Sequence, residues 1–191
     1  MSGGDDGARP PFAGAVLAGG RSTRFGRDKC GFRYRGRPLI DHALDALVEA
    51  EERWIVGGPR RVRAGVTWVA DDPPGRGALA GVRAALAVTR VDWIALVACD
   101  MPFVPQALWP MLLRAAGGAR LVMPEGPEGL QPLAAMYHRD LAPEIERGFA
   151  SGRRSPRAYL GDHGTVVPWS ELSRVLPPDA FLNANRPEDL P

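Results

Sequence analysis

The sequence predicts an α/β fold: one three-layer domain with a mostly parallel, twisted sheet. Short apolar runs of strand length alternate with segments of helical apolar spacing through the first 116 residues. No internal repeat or linker divides the chain, and its 191 residues are enough for one substantial core. Alternating strands and helices favour parallel pairing, because each helix returns the chain to the same edge of the sheet.

Four short apolar runs in the first half are predicted to be strands. They cover residues 13–17, 54–56, 67–70 and 93–98, and glycine or aspartate follows each within two residues. Continuous apolar runs of this length are typical of strands buried on both faces of a parallel sheet.

Helices are predicted where apolar residues recur at helical spacing between these strands. They extend from Pro38 to about Glu51, over residues 78–89, and from Pro105 to about Ala116. A short extended piece over residues 30–34, turning at Arg35-Gly36, would precede the first helix.

The second half of the chain is less regular. A strand over 121–123, a turn over 124–129 and a returning strand over 131–137 predict a small antiparallel addition to the sheet. A helix is predicted over 140–150, followed by a short helix that Ser155 would cap. Residues 166–167 and 186–190 predict a last strand and a helical turn.

Composition and charge narrow the class of protein. A net charge of +2 argues against nucleic acid as a partner, and Cys30 and Cys99 are too few for a disulfide framework or a metal motif. No segment approaches the roughly 18 apolar residues that a membrane span requires. Residues 1–11 lack an apolar core and predict a flexible tail rather than a signal peptide. We therefore expect a cytoplasmic protein that does not bind a membrane.

The loop after the first predicted strand carries the strongest functional signal. Gly19, Gly20 and Gly26 allow a ligand to approach the backbone closely, and the cations Arg24 and Lys29 lie beside them. Backbone N–H groups together with cations form a cradle for a polyanion such as a triphosphate. For the glycines alone, an ordinary turn with solvated basic residues is the alternative. The spacing matches neither a Walker loop nor a dinucleotide-binding fingerprint.

The whole string from Val16 to Lys29 resembles the nucleotidyltransferase loop of the sugar-nucleotide pyrophosphorylase-like superfamily. Its Leu-Ala-Gly-Gly form is most similar to that of the molybdenum cofactor guanylyltransferases. The resemblance extends to Leu190 and implies a Rossmann-like domain of the nucleotide-diphospho-sugar transferase type over residues 12–191. Its nucleotide half would cover about 12–104, and its acceptor half about 105–191.

Asp100 follows the predicted strand over 93–98, at the edge where open parallel sheets bind ligands. A carboxylate there could cap a helix or pair with a basic group. It could also bind Mg²⁺, which prefers one or two carboxylates together with phosphate oxygens and water. The segment Cys-Asp-Met-Pro-Phe resembles the Asp-x-Pro segment that holds the metal in the superfamily, which implies Asp100 as metal ligand and Mg²⁺ as cofactor.

Other nucleotide contacts are implied by the resemblance. Asp71 matches the aspartate that precedes Gly-Pro-Leu-Ala-Gly in guanylyltransferases, although Ala78 stands where the family usually has proline. Gly57 and Gly58 stand where some members carry an asparagine that reads guanine, so backbone groups there would replace that side chain. The predicted nucleotide-binding residues are Leu17, Ala18, Gly19, Gly20, Arg24, Lys29, Gly57, Asp71, Gly77 and Asp100.

Two segments of the second half are predicted to bind the acceptor. Gln131-Pro132 resembles the family's loop on the pterin side, and Asn183 with Asn185 resembles its Asn-x-Asn segment. Asparagine before a proline-started helix is equally a cap. Arg153 is a candidate anchor for an acceptor phosphate, with solvated surface as the alternative.

The resemblance implies transfer of GMP from Mg-GTP to the phosphate of molybdenum-bound molybdopterin, with release of pyrophosphate. That phosphate is already anionic, so in-line attack on the α-phosphorus needs no general base. Arg24, Lys29 and Asp100 would therefore act through charge. Contacts with molybdenum cofactor synthesis proteins and with acceptor proteins would be transient.

Two other functions stay open at this point. A nucleotidyltransferase for CTP, or for a sugar or alcohol phosphate, would keep a similar loop, although Leu-Ala-Gly-Gly rather than Leu-Ala-Ala-Gly argues against the cofactor cytidylyltransferases. A nucleotide-binding regulatory protein without catalysis would tolerate loss of Asp100. The chain retains Asp100 together with Arg24 and Lys29.

Overall fold

The structure is a computed structural model that describes residues 10–19, 28–71 and 76–191. Its strands are β1 (Phe12–Leu17), β2 (Arg33–Tyr34), β3 (Arg37–Pro38), β4 (Arg53–Val56), β5 (Thr67–Val69), β6 (Trp93–Ala98), β7 (Leu121–Gly126), β8 (Gly129–Leu130), β9 (Ala134–His138) and β10 (Gly164–Val167). Its α-helices are α1 (Leu39–Asp45), α2 (Ala78–Val88), α3 (Leu108–Arg114), α4 (Ala142–Ala150), α5 (Leu160–His163) and α6 (Trp169–Leu172). Short 3-10 turns cover Arg139–Leu141, Pro156–Tyr159 and Pro187–Asp189.

One mixed sheet organises the described residues. Its strands lie in the order β10-β7-β9-β6-β1-β4-β5, and β8 pairs with β7 beside this path. Strands β6, β1, β4 and β5 are parallel, and so are β10 and β7. Strand β9 runs antiparallel between β6 and β7. The predicted α/β class, the mostly parallel sheet and the antiparallel addition in the second half are confirmed.

Each face of the sheet has its own apolar core, because β1 and β6 are buried on both sides. Val16 packs on the face that carries α1 and α3, and Leu17 packs on the face that carries α2 and α4. Glycines let neighbours approach closely: a Cβ on Gly14 would lie 2.8 Å from the Cβ of Leu47, and one on Gly81 would lie 2.7 Å from the Cδ2 of Leu17. The strand that leads into the predicted phosphate loop is therefore held from both faces.

The first helix is shorter than the sequence predicts. Helix α1 ends at Asp45 rather than near Glu51, and the N–H groups of Leu47 and Ala50 each donate to a carbonyl three residues earlier. Val48, whose spacing places it on the buried face, is 54% exposed, whereas Leu47 is buried against Gly14. The apolar spacing continues past the helix because Leu47 fills the space beside the glycine of β1.

Three smaller features also differ from the prediction. Helix α3 begins at Leu108 rather than at Pro105, whose carbonyl accepts from the Leu108 N–H in a preceding turn. Strand β7 continues through Pro124 to Gly126, where the sequence predicts a turn, because Pro124 pairs with β10 although it lacks an N–H. Ser155 occupies the predicted cap position, but its side chain makes no capping hydrogen bond.

Among the described residues, no helix has the length and apolar character needed to cross a bilayer. Of the predicted tail over residues 1–11, the first nine lie outside the described residues.

Candidate active site

The carboxyl ends of four neighbouring parallel strands meet at one edge of the sheet. Ala18 follows β1, Gly57 follows β4, Ala70 follows β5 and Cys99 follows β6. Open parallel sheets bind ligands at this edge. Gly20 and Arg24, which the sequence assigns to the nucleotide, lie outside the described residues.

Three of these loops touch through glycine. Gly58 has a φ of +63°, and a Cβ there would lie 2.5 Å from the carbonyl oxygen of Ala18. Gly57 has a φ of +76°, and a Cβ there would lie 3.0 Å from the Asp71 carboxylate and 3.2 Å from the Cα of Gly19. Only glycine permits both the left-handed backbone and this separation. The Asp71 carboxylate therefore lies against Gly19 and Gly57, in the predicted nucleotide site.

Most backbone groups at the ends of these strands already have partners within the fold. The Ala18 N–H donates to Val56 at 2.8 Å, and the Gly57 N–H donates to Val69 at 2.8 Å. The Gly57 carbonyl accepts from the Trp68 indole at 3.3 Å. Gly57 thus shapes this edge of the sheet, and its N–H is not available to read a base. Gly77 has a φ of +86° immediately before α2, which is why glycine stands there.

Lys29 and Asp100 form the charged centre of the site. The Nζ of Lys29 lies 2.6 Å from the Oδ2 of Asp100, and the two side chains are only 12% and 23% exposed. Lys29 is the only lysine among the 24 lysine and arginine residues of the chain. An ammonium is a compact charge with three rotatable donors, whereas a guanidinium is a planar fork. This position therefore differs in chemistry from every other cation of the protein.

The C-terminal segment reaches the same pair of residues. The Oδ1 of Asn185 accepts from the Nζ of Lys29 at 3.3 Å, and the N–H of Ala184 donates to the Asp100 carbonyl at 2.8 Å. Ala184 is buried, whereas Asn183 and Asn185 on either side of it are exposed. Lys29 and Asn185 are 156 residues apart in sequence, so spacing alone gives no signal for this contact.

The two predicted acceptor segments meet around Gly126. The buried Gln131 donates from Nε2 to the Gly129 carbonyl at 2.9 Å, with Pro132 directly after it. A Cβ on Gly126 would lie 3.1 Å from that Nε2 and 2.8 Å from the Phe181 ring. Phe181 lies two residues before Asn183, so it connects the Gln131 loop with the Asn-x-Asn segment.

Arg153 packs beside the Tyr159 ring. Its guanidinium lies 5.8 Å from the centre of the Tyr159 ring, and its side chain lines an open cavity of about 380 Å³ with Glu144 and His163. Arg157, on the 3-10 turn that follows Arg153, donates to the carbonyl of Leu130 at 2.5 Å, directly beside Gln131. Arg157 is not among the residues predicted from the sequence, because spacing within a run of arginines does not indicate which one reaches the neighbouring hairpin.

The two cysteines beside the charged pair are not candidate nucleophiles. Cys30 donates from Sγ to the Ala18 carbonyl at 3.6 Å, and both thiols are buried. A hydrogen bond with Cys30, together with burial, raises the pKa of Cys99 well above its usual value. Cys99 therefore stays protonated and acts in packing.

The donor set around Asp100 suits Mg²⁺ better than a metal with an all-protein cage. Within the described ranges, no group of three or more His, Cys, Asp or Glu side chains is placed to hold a metal. Mg²⁺ commonly takes one or two carboxylates and completes its shell with phosphate oxygens and water. A single aspartate beside a phosphate loop fits that pattern.

The chain matches the model of the MobA-like NTP transferase domain over residues 14–166. It is 36% identical over 184 residues to a probable molybdenum cofactor guanylyltransferase of Deinococcus radiodurans, with 94% of this chain and 92% of that protein covered. It is 38% identical over 195 residues to the molybdenum cofactor guanylyltransferase of Pseudomonas paraeruginosa, with 96% and 94% covered. The crystal structure of molybdopterin-guanine dinucleotide biosynthesis protein A from Archaeoglobus fulgidus superposes with a TM-score of 0.76 at 26% identity, covering 93% of this chain and 94% of that one.

Proposed function

We propose that this chain, which belongs to the MobA-like NTP transferase family and is a nucleotidyltransferase, catalyses the reaction of a molybdenum cofactor guanylyltransferase. GMP passes from GTP to the phosphate of molybdenum-bound molybdopterin, and pyrophosphate is released. The observation that carries this proposal is the Lys29–Asp100 pair, which lies at the carboxyl edge of the sheet in contact with Asn185. Lys29 of the predicted phosphate loop thus contacts both Asp100, the predicted metal ligand, and Asn185 of the predicted acceptor segment.

The chemistry requires charge stabilisation rather than a nucleophilic side chain. An oxygen of the acceptor phosphate attacks the α-phosphorus of GTP, and the bond from that phosphorus to the pyrophosphate oxygen breaks. Negative charge grows on the leaving pyrophosphate, where preorganised cations and N–H donors lower the barrier. Lys29 supplies such a cation, and Arg24 is proposed to supply a second.

Asp100 is proposed to hold Mg²⁺ together with the phosphates of GTP. When bound, the ion neutralises phosphate charge and makes the α-phosphorus more electrophilic. The Lys29 ammonium contacts the Asp100 carboxylate in the structure, and it can turn toward phosphate oxygens because its long side chain carries three donors.

Asp71 is proposed to contact the nucleoside. Its carboxylate lies against Gly19 and Gly57, and the N–H of Gly57 is already donated to Val69. A carboxylate accepts hydrogen bonds from N–H donors, and guanine presents two adjacent donor groups on its pairing edge whereas cytosine presents one. This chemistry favours GTP, although the site lacks the asparagine that reads guanine in some relatives.

The acceptor is proposed to bind Gln131, Pro132, Asn183 and Asn185. Gln131 and Phe181 pack around Gly126, and Asn185 contacts Lys29, so an acceptor phosphate held there would lie beside the triphosphate. Arg153 remains a proposed anchor for the acceptor, and Arg157 is the arginine that contacts the Gln131 loop. The division into a nucleotide half over 12–104 and an acceptor half over 105–191 is part of this proposal.

A cytoplasmic location and transient contacts with the proteins that supply and receive the cofactor complete the proposal.

Calorimetric titration of the protein with GTP, CTP, ATP and UTP, with and without Mg²⁺, tests the proposed function. We expect GTP to bind at least about tenfold more tightly than the others, the effect of roughly one additional charge-assisted hydrogen bond. The Asp100→Ala variant should lose the Mg²⁺-dependent part of the affinity, and Asp162→Ala, an exposed aspartate on α5, is the matched control.

The titration, followed by an assay of turnover with the molybdopterin acceptor, distinguishes the remaining functions. A preference for CTP or UTP would assign the chain to another nucleotidyltransferase reaction. Binding of GTP without turnover of the molybdopterin acceptor would indicate a regulatory protein. Absence of binding for all four nucleotides would show that the phosphate loop is misassigned.

A further inference from the structure

We propose that Arg61 is a positioning residue for nucleotidyl transfer: its ion pair with Asp28 holds the turn that presents Lys29 and neutralises a carboxylate beside the triphosphate site. This role rests on the function proposed above. Arg61 is not among the residues that the sequence predicts to bind the nucleotide or the acceptor.

The placement of Arg61 is unusual for a loop arginine. It lies after β4, five residues beyond Val56, yet its side chain is only 13% exposed. Its Nη2 donates to the Oδ1 of Asp28 at 2.6 Å, and its Nε is buried without a hydrogen-bond partner among the residues that the structure describes. Arginine is rarely buried to this extent unless it is paired. The ion pair spans 33 residues and connects the loop after β4 to the residue immediately before Lys29.

The guanidinium keeps its charge in this setting. Burial acts to lower the pKa of Arg61, whereas the hydrogen bond and the negative charge of Asp28 act to raise it, and the net result is a pKa above the usual value. The ion pair therefore compensates the charge of Asp28.

Asp28 transmits this contact to the turn that carries Lys29. While one carboxylate oxygen of Asp28 accepts from Arg61, the other packs over Gly31, where a Cβ would lie only 2.7 Å away. The N–H of Phe32 donates to the Lys29 carbonyl at 3.1 Å and closes the same turn. The Asp28 side chain is thus fixed between Arg61 and its own turn, and Lys29 extends from that turn to Asp100.

Loss of Arg61 would leave an uncompensated carboxylate beside Lys29. Such a carboxylate attracts the ammonium away from Asp100 and the phosphates, and it repels the triphosphate directly. Both effects weaken the binding of GTP and of the transition state, while the acceptor segments around Gln131 and Asn183 keep their own contacts.

The same loop offers a matched control. Arg63 donates from Nε to the Oδ1 of Asp41 at 2.6 Å, the same length as the Arg61 pair, but Asp41 lies on α1 rather than next to Lys29. The variant Arg63→Ala therefore removes a comparable ion pair from the same loop without disturbing the Lys29 turn.

Steady-state kinetics with Mg-GTP and the molybdopterin acceptor test the role of Arg61. We expect Arg61→Ala to lower kcat/KM for GTP roughly 10- to 100-fold, the scale of a slightly misplaced reacting group. Combining it with Asp28→Asn should restore a large part of the lost kcat/KM, because the uncompensated charge is removed.

Gly31→Ala should give a smaller loss of the same kind, because it displaces the Asp28 carboxylate without removing a charge. Arg63→Ala should lower the melting temperature and leave both KM values unchanged.

Each of the following results would contradict the proposal. Kinetics of Arg61→Ala that match those of Arg63→Ala would show that the ion pair only stabilises the fold. A double variant as impaired as Arg61→Ala would show that the uncompensated charge of Asp28 does not cause the loss. If the wild type turns over GTP and Arg61→Ala is unchanged, this role fails alone, whereas a wild type without GTP turnover overturns the proposed function as well. If Arg61→Ala does not fold, Gly31→Ala supplies the same comparison, and normal kinetics in that variant would contradict the role.

Discussion

The two sides of the candidate site are built in different ways. On the proposed nucleotide side, formed by Ala18, Gly19, Gly57, Gly58 and Asp71, loops from three strands touch with no space for a larger residue. On the proposed acceptor side, formed by Gln131, Pro132, Asn183, Asn185 and Arg157, most contacts come from side chains of the Gln131 loop, of the 3-10 turn that carries Arg157 and of the C-terminal segment. The nucleotide side is thus defined by backbone packing, and the acceptor side by replaceable side chains.

This difference indicates how such an enzyme can change its acceptor while it keeps its nucleotide chemistry. Substitution of an exposed asparagine leaves the sheet intact, whereas substitution of Gly58 forces apart the loops after β1 and β4. Lys29 lies where the two sides meet, since it contacts both Asp100 and Asn185.

The largest effect is expected where the two sides meet. Lys29→Ala should lower turnover roughly 10²- to 10³-fold, the scale for loss of one preorganised charge contact in the transition state. Lys29→Arg should recover little of it, because a planar guanidinium does not reproduce the geometry of the ammonium between Asp100 and Asn185. Steady-state turnover with saturating GTP and acceptor measures both variants.

Because Lys29 is the only lysine, its chemistry can also be followed directly in the wild type. An amine-specific acylating reagent modifies Lys29 and the N-terminal amine, and Mg-GTP should protect Lys29 alone. Equal protection of both amines, or normal turnover in Lys29→Ala, would show that Lys29 does not contact the nucleotide. Either result would contradict the placement of Lys29 between the nucleotide side and the acceptor side.

A second prediction concerns the nucleotide side. Gly58→Ala should lower the free energy of unfolding by about 2–4 kcal/mol, because it combines left-handed backbone strain with a close overlap on the Ala18 carbonyl. Gly36 also has a positive φ, but a Cβ there meets nothing within 4 Å. Gly36→Ala should therefore cost only about 1 kcal/mol, the strain alone.

Urea unfolding of the two glycine variants, followed by GTP titration of the folded forms, measures this difference. We expect Gly58→Ala to bind GTP more weakly and Gly36→Ala to bind it normally. Equal destabilisation by the two substitutions would show that close packing of the loops does not define the nucleotide side.

The sequence predicted the fold well where burial alone decides structure. The strands β1 and β6 are apolar throughout because both faces are covered, so their identity and limits follow from composition. Errors came where tertiary contacts override local pattern. Leu47 continues an apolar spacing beyond the end of α1 because Gly14 leaves space for it, and Pro124 remains in a strand because β10 pairs with it.

The site shows the same division. Lys29 and Asp100 follow from short motifs next to buried strands, and the structure brings them together. Contacts that depend on how distant loops pack, such as those of Asn185 with Lys29, Arg157 with Leu130 and Arg61 with Asp28, leave no pattern in sequence spacing. A single sequence gives the chemical groups of the site more readily than their partners.

The smallest effect is expected at Asn185, and it gives the sharpest test of the distinction between the nucleotide side and the acceptor side. Its side chain is exposed, so Asn185→Ala should change the free energy of unfolding by less than about 0.5 kcal/mol. Loss of one hydrogen bond to a charged group should raise the KM for the acceptor roughly tenfold, and the affinity for GTP should stay within about twofold of the wild type. Arg186→Ala, an exposed neighbour, is the control for the segment and should leave both values unchanged. If Asn185→Ala instead weakens GTP and spares the acceptor, the C-terminal segment belongs to the nucleotide side through Lys29, and the boundary between the two sides must be drawn beyond Asn185.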